Sequence, residues 1–170
     1  MLSAKVVRQY LLPSAVLFLA TATILSGCRK AGDPLSVGTF AMGEKVQVGP
    51  LVYQISESRW QNELGSGGRT PKDRYLFLKV AVTNSSTAPV SVHGFALQGT
   101  TSEDTHPEIS QDMDKVANWF GLLRNVGPSQ TEQGWIVFDV PMAAYKFIAT
   151  EGGEVDQEKY AHIDIPLNLE

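Results

Sequence analysis

Apolar and polar residues alternate with a period of two over most of the chain beyond residue 43. The alternation is clearest in residues 74–83, where positions 76, 78, 80 and 82 are all Leu or Val and positions 75, 77 and 81 are Tyr, Phe and Ala. Neighbouring residues of a strand point to opposite faces of a sheet, so this segment has two largely apolar faces. It predicts a central strand that is buried on at least one full side.

Shorter segments with the same period follow one another at regular spacing. Turn-forming residues such as Gly49-Pro50 and the cluster at 84–89 separate them. Seven to nine short strands with almost no helical periodicity predict an all-β fold, namely an antiparallel β-sandwich. Besides 74–83, the predicted strands are 44–48, 51–55, 90–92, 95–98, 122–126, 134–140, 145–150 and 161–165.

Residues 99–118 interrupt this series because they carry no strand pattern. A stretch of that length without secondary structure is unusual in a compact domain and is often functional. The sequence therefore predicts a functional loop here, a short helix around residues 112–118, or both.

The first 27 residues have a pattern typical of bacterial export signals. Lys5 and Arg8 precede an uncharged stretch, residues 9–27, whose apolar part is residues 11–25. This apolar part is shorter than the roughly 20 residues that a stable membrane span needs. We therefore expect a signal peptide at residues 1–27 and no transmembrane helix.

The end of this segment carries the most specific motif in the chain. Leu25, Ser26, Gly27 and Cys28 resemble the lipobox of bacterial lipoprotein signal peptides, in which small residues before the thiol admit the peptidase. The resemblance implies cleavage after Gly27 and a diacylglyceryl group on the Cys28 sulfur. Each buried methylene contributes about 0.8 kcal/mol, so two or three acyl chains hold a protein on a membrane. The alternative is an incidental Cys after an uncleaved anchor.

This interpretation divides the chain into a lipoprotein signal peptide (1–27), a flexible tether (28–39) and a β-sandwich domain (40–170). It places the protein in the bacterial cell envelope. Arg29 stands where some bacteria with two membranes use Asp to retain lipoproteins in the inner membrane. The periplasmic face of the outer membrane is therefore favoured in such a host, and the outer face of the cell membrane otherwise.

Composition and charge narrow the functional classes. The chain has 170 residues and a single Cys, so an exported domain whose Cys28 carries lipid has no disulfide and depends on its core. The net charge is −4, and loss of Lys5 and Arg8 with the signal would leave 12 of the 14 basic residues against 18 acidic ones. Such a chain offers no basic field for a phosphate backbone, so nucleic-acid binding is not predicted.

Two further motifs carry a family resemblance. Residues 82–85 read Val-Thr-Asn-Ser, and Gly127-Pro128 precedes residues 134–141, which read Gly-Trp-Ile-Val-Phe-Asp-Val-Pro. With the lipoprotein signal, they resemble an immunoglobulin-like domain of unknown function that occurs in many bacterial lipoproteins and is related in fold to a mycobacterial secreted immunogenic protein. The resemblance covers roughly residues 43–165 and implies an immunoglobulin-like sandwich without an established activity. Residues 100–107 depart from the usual pattern, in which a glycine turn is common.

The sequence contains no signature of catalysis or zinc binding. His93, His106 and His162 lack the spacing of zinc ligands. Residues 65–68, Gly-Ser-Gly-Gly, lack the strand-to-helix context of a nucleophile elbow. We therefore predict no cofactor and no enzymatic activity.

The acidic 99–118 loop is the main candidate for a binding site. Clustered carboxylates could supply several of the six to eight oxygen ligands of calcium, but the spacing does not match a calcium loop, and a solvated loop is the other interpretation. Trp119 and Phe120 would form an apolar patch with an acidic rim if they were exposed, and otherwise would plug the end of the sandwich. The candidate residues for a cation or a partner are Glu103, Asp104, Glu108, Asp112, Asp114 and Trp119.

The sequence thus predicts a non-enzymatic, lipid-anchored envelope module that binds an unidentified protein or ligand, with residues 99–120 as its contact surface. The alternative is a metal- or small-ligand-binding accessory subunit of an envelope transporter or enzyme. Trp135 is expected in the core because it belongs to a strand, whereas Trp60 follows a polar run and has no assigned place.

Overall fold

The structure, a computed structural model, describes residues 33–121, 124–152 and 158–167. The predicted signal peptide lies outside the described residues, and so do its lipobox positions Leu25, Ser26 and Gly27 and the acceptor Cys28. Within the described ranges, no helix is long and apolar enough to cross a membrane. These ranges contain eleven strands and one short 3-10 helix, Met113–Lys115; the strands are β1 (Ser36–Ala41), β2 (Val46–Val48), β3 (Leu51–Gln61), β4 (Tyr75–Asn84), β5 (Val90–Val92), β6 (Ala96–Gly99), β7 (Thr105–Pro107), β8 (Arg124–Val126), β9 (Thr131–Asp139), β10 (Tyr145–Thr150) and β11 (Tyr160–Ile165).

Two main sheets enclose a common core. One sheet has five strands in the order β1-β11-β10-β6-β7, and the other has four in the order β2-β3-β4-β9. Strands β5 and β8 form a separate pair. The pairings are antiparallel except for that of β1 with β11, which is parallel. The predicted all-β architecture with antiparallel sheets is confirmed, and one edge of it is parallel.

The main core lies between the two sheets because the inward positions of their strands are apolar. Leu78 and Val80 of β4 share one buried cluster with Phe147 of β10 and Ile163 of β11. The ring of Tyr53 on β3 lies 6.3 Å from that of Phe147, so the two layers are in direct contact. Each such side chain contributes roughly 1.5–3 kcal/mol when it is fully buried.

A second hydrophobic cluster lies on the outer face of the four-stranded sheet. Tyr75 and Phe77 of β4 and Val137 of β9 point outward there, and two segments, residues 62–74 and 108–120, cover them. The covering side chains that reach this cluster are Leu64, Ile109, Met113, Val116 and Trp119. The first half of β4 is therefore buried on both faces, which agrees with the prediction of burial on at least one full side.

Strands β1 and β7 raise the number of strands above the seven to nine that the sequence predicts. Both are edges of the five-stranded sheet, and neither buries a regular set of apolar residues. Edge strands of this kind lack the alternation that burial of one face imposes. β1 also places residues 36–39 of the predicted tether in a strand. The 99–118 interval contains β7 in addition to the short helix that was one of its predicted contents.

Candidate functional site

The acidic residues of the 99–118 segment lie apart from one another. Glu103 and Asp104 are exposed in the turn that joins β6 to β7. Asp112 lies 3.9 Å from the guanidinium of Arg69, and Asp114 pairs with the lysine that follows it at 2.9 Å. In the described part of the chain, no three His, Cys, Asp or Glu side chains converge as metal ligands would. The acidic residues of this segment therefore lie apart, and their carboxylates do not converge at one point.

Glu108 differs from the other acidic residues because it is buried, with 9% of its surface exposed. Its Oε1 accepts a hydrogen bond from the Phe95 N–H (3.0 Å), and its own N–H donates to the Phe95 carbonyl (2.9 Å). Its Oε2 is buried and has no hydrogen-bond partner among the described residues. Burial raises the pKa of Glu108 to about 7, against the smaller opposing effect of the Phe95 hydrogen bond. Glu108 therefore attaches the 108–120 segment to the core.

Trp119 and Phe120 do not form an exposed patch. Phe120 is fully buried in the main core, and Trp119 is half-buried against the second cluster. Their backbone is held along the free edge of β9, where the Phe120 N–H donates to the Trp135 carbonyl (2.9 Å) and the Trp135 N–H donates to the Asn118 carbonyl (2.8 Å). This segment therefore covers a sheet edge that would otherwise be unpaired.

The three histidines stay on separate elements. His106 on β7 packs against the Tyr145 ring with centroids 5.7 Å apart, and His162 on β11 packs against Tyr160 at 5.2 Å. Burial, with a smaller effect of Lys146, lowers the pKa of His162. Both of these histidine rings therefore pack against tyrosine rings.

We expected Trp135 in the core because it belongs to a strand. It lies instead on the outer face of the four-stranded sheet. It is half-buried beside the second cluster. The guanidinium carbon of Arg59 lies 4.1 Å from the centroid of the Trp135 ring, and Phe77 meets the same ring edge-on at 6.2 Å. Such contacts are worth roughly 0.5–2 kcal/mol and fix the orientation of the ring. Trp60, by contrast, packs against the main core.

Beyond Trp135, the same outer face is open to solvent. The register of β3, β4 and β9 aligns its outward residues in rows, with Lys79 opposite Trp135, Ala81 opposite Gln133 and Thr83 opposite Thr131. We call this surface the open face; it consists of Lys45, Val52, Gln54, Glu57, Arg59, Lys79, Ala81, Thr83, Asn118, Thr131, Gln133 and Trp135.

The open face contains two neighbouring cavities. One has a volume of about 290 Å³ and is lined by Lys79, Asn118, Gln133, Gly134 and Trp135. The other has a volume of about 370 Å³ and extends from the Ala81 position to the far end of the sheet. The two are adjacent because Ala81 pairs with Gln133 in the register of β4 and β9. We call these two adjacent cavities the groove of the open face; their walls carry amides, hydroxyls, lysines and one aromatic ring.

The charge of the open face is opposite to that of the whole chain. The face carries three basic residues, Lys45, Arg59 and Lys79, and one acidic residue, Glu57. The whole chain, by contrast, carries 14 basic and 18 acidic residues. The polar groups of this face can bind and orient a ligand. Sequence reasoning missed the site because its residues come from strands that are far apart along the chain.

A second groove of about 430 Å³ lies on the outer face of the five-stranded sheet, and it has the opposite character. Two acidic residues, Asp33 and Glu103, line it with Tyr160 and His162. The Tyr160 hydroxyl donates to Asp33 at 2.8 Å, and the Leu35 N–H donates to Asp33 at 2.9 Å. The Leu35 hydrogen bond, followed by that of Tyr160, lowers the pKa of Asp33, so this carboxylate stays ionised at neutral pH.

Solved structures of bacterial proteins share this fold. The yjhA protein of Bacillus subtilis matches with a TM-score of 0.58 and 12% identity over 74% of this chain and 98% of its own. A candidate lipoprotein of Bacillus subtilis, ycdA, matches with a TM-score of 0.56 and 15% identity over 72% of this chain, which spans 38% of ycdA. A functionally unknown protein of Listeria monocytogenes matches with a TM-score of 0.51 and 8% identity over 75% of this chain and 84% of its own.

At these identities, the likeness is one of fold alone. No curated protein matches the chain. At the level of families, residues 40–155, which are more than half of the chain, match the domain of unknown function DUF4352. The chain therefore belongs to the DUF4352 family.

Proposed function

We propose that the protein is a lipid-anchored module of the bacterial cell envelope that binds a ligand through the open face and has no enzymatic activity. The lipobox at Leu25-Ser26-Gly27-Cys28 supports the anchor, and the candidate lipoprotein among the structural neighbours agrees with it. In a host with two membranes, the proposed location is the periplasmic face of the outer membrane. The immunoglobulin-like character of the sandwich and its relation to the mycobacterial secreted protein stay predictions.

One observation carries the binding role. Trp135 is held in place by Arg59 on a sheet surface that elsewhere presents Lys79, Gln133 and Asn118 around a cavity. Binding sites combine a preformed concave surface with a few polar groups that fix the orientation of the ligand. The 99–120 segment contributes Asn118 to the rim of this surface. The aromatic Trp119 of the same segment packs inward.

The proposed anchor also limits the distance from the membrane at which the protein can meet its ligand. Ser36, the first residue of β1, is eight positions after Cys28, and a fully extended chain spans at most about 3.6 Å per residue. The start of the domain therefore stays within roughly 30 Å of the lipid-bearing position. The ligand of the open face is accordingly expected at the membrane or in the layer next to it.

The anchor is tested by metabolic labelling with a fatty-acid analogue. The wild-type chain should take up the label, and Cys28→Ala should lose it and accumulate as an unprocessed precursor. A labelled Cys28→Ala protein would exclude the lipobox interpretation.

The binding role is tested in living cells with a photo-cross-linking amino acid in place of Gln133. The matched control carries the same amino acid in place of Ser91, an exposed residue of β5 that lies on neither main sheet. We expect a cross-linked product from position 133 and none from position 91. Equal cross-linking at both positions, or none at either, would argue against a binding role of the open face.

A further inference from the structure

We infer that the ligand of the open face is an acidic oligosaccharide, a chain of sugar rings that carries carboxylate groups. This inference rests on the proposed function and names the class of ligand for the same surface. Three independent features of the face support it: its charge, its combination of an aromatic ring with neutral amides, and its length.

The charge of the face favours an anionic ligand. Lys45 and Lys79 lie in neighbouring cavities and Arg59 lies beside Trp135, whereas Glu57 is the acidic residue of the face. The chain as a whole carries a net charge of −4, so the excess of basic residues on this face is a local feature. Complementary charge of this local kind provides specificity more than overall affinity.

The neutral groups of the face favour a sugar over a simple anion. Gln133 and Asn118 each carry a donor and an acceptor, which is the pairing that a sugar hydroxyl requires, whereas the Gln54 Nε2 already donates to the Gly43 carbonyl (2.9 Å). The Trp135 ring lines the same cavity with Arg59 lying 4.1 Å over its centroid and Phe77 against it, so its orientation is fixed and a ligand can meet the part of the ring that these two leave uncovered. A sugar ring has an apolar C–H face and polar hydroxyl edges, so it matches an oriented ring with amides at its side. An inorganic anion would use only the lysines.

The length of the groove favours an oligosaccharide over a single sugar. The cavities extend along β9 from Trp135 to Thr131, and four residues of an antiparallel strand span about 14 Å. Their volumes of about 290 and 370 Å³ make two successive positions with one lysine each. A charge on every ring, or on every second ring, would place a carboxylate near each lysine.

The groove of the five-stranded sheet provides an internal contrast. It also combines aromatic rings with polar groups, but Asp33 and Glu103 give it two carboxylates. An acidic ligand would be repelled there, so substitutions in this groove or beside it should leave binding unchanged. Lys146, an outward residue of β10 that faces β11, is therefore a suitable control for the loss of a lysine.

The test uses the full chain in a nonionic detergent without a sugar headgroup, titrated calorimetrically with three probes. Hexagalacturonate is an acidic sugar chain, its methyl ester has the same rings without charge, and hexaglutamate has the charge without sugar rings. We expect hexagalacturonate to bind at least about tenfold more tightly than either of the other two, a difference that corresponds to about 1.4 kcal/mol. Its affinity should fall as the salt concentration rises.

The variants locate the binding on the open face. Lys79→Gln and Gln133→Ala should each weaken hexagalacturonate binding by about five- to tenfold, whereas Lys146→Gln should leave it unchanged. Thermal unfolding of each variant shows whether the fold is retained, and both open-face positions are at least partly exposed.

Three results would overturn the inference: no binding of hexagalacturonate, equal binding of the ester or of hexaglutamate, or equal loss in the Lys146→Gln control. A specific cross-link from position 133 to a protein would also overturn it but would leave the proposed binding role intact. Failure of the cross-link at position 133 would instead count against the proposed function itself.

Discussion

The outer surface of the four-stranded sheet has two halves that the same strands build in different ways. In the covered half, Tyr75 and Phe77 of β4 lie beneath the segments 62–74 and 108–120. In the open half, the outward positions of the same strand are Ala81 and Thr83, and no described segment lies over them to exclude the groove of the open face. Lys79 separates the two halves. The change from aromatic to small residues along one strand therefore accompanies the change from a second core to an accessible surface.

The covering segments are held by hydrogen bonds as well as by apolar contacts. The Ile109 N–H donates to the Val137 carbonyl (2.9 Å), which ties the 108–120 segment to the edge of β9. Asp139 at the end of β9 accepts hydrogen bonds from the N–H groups of Lys72 (2.8 Å) and Asp73 (3.0 Å), which ties down the other segment. Covering a sheet thus requires apolar residues beneath and satisfied backbone groups at the edge.

The largest expected effect comes from removing an aromatic side chain from the covered half. Phe77→Ala should lower the free energy of unfolding by about 3–5 kcal/mol, because Phe77 is 2% exposed and its removal leaves a cavity among the second-cluster residues. The matched control is Thr83→Ala on the same face of β4, which loses only its hydrogen bond to Thr131 and should cost about 1 kcal/mol or less. Urea unfolding measures both, and similar losses would mean that the two halves do not differ in packing.

A pH-dependent effect of intermediate size is expected at Glu108, where the covering segment begins. Its pKa of about 7 lies above the ordinary value of 4.5, so the folded protein holds this proton more tightly than the unfolded chain. The stabilisation from Glu108 is therefore complete below pH 4.5 and is lost as the pH rises through 7. A shift of this size corresponds to about 3 kcal/mol at most.

The measurement compares urea unfolding of the wild type and Glu108→Gln between pH 5 and pH 8. In the wild type, Glu108 lowers the free energy of unfolding as the pH rises to 8. The variant should not show this loss. His162 acts with the opposite sign, because its lowered pKa favours the neutral ring in the folded state, but it is present in both proteins and cancels in the comparison. Parallel pH profiles would show that the Glu108 carboxyl is satisfied when ionised.

The smallest effect is expected where the covering segment approaches β9 most closely. A Cβ at Gly134 would lie 2.7 Å from the Asn118 carbonyl oxygen and from the Phe120 backbone, so Gly134→Ala forces the two apart. We expect a loss of about 1–3 kcal/mol in the free energy of unfolding. Gly94→Ala is the control, because its Cβ would meet only the Glu108 carboxylate at an ordinary 3.5 Å. An unchanged Gly134→Ala protein would show that the segment can move away from the strand at little cost.

Much of the fold could be predicted from the alternation of residues. The pattern of 74–83 indicated a central strand buried on at least one full side, and the inward positions of β4 are buried along its whole length. β1 and β7 could not be predicted in this way, because an exposed edge strand receives no constraint from a core. Their places depend on pairing with β11 and β6.

The candidate site could not be predicted in the same way. The acidic residues of the 99–118 segment are close in sequence, but Glu108 turns into the core while Glu103 and Asp114 face solvent. Lys79 and Trp135, by contrast, are 56 positions apart and are brought together by the register of β4 and β9. Residues close along the chain thus do not converge here as metal ligands would among the described residues, whereas residues far apart along the chain meet on the open face.

The sequence by itself determined the class of the fold and which residues of a strand share a face, because the period of two is a local property of extended backbone. The predicted lipobox likewise rests on the sequence alone, because it is a short linear motif. Only the tertiary structure decided which outward residues are covered and which form a groove. That choice depends on strand register and on where the connecting segments lie, and both are set by contacts between distant parts of the chain.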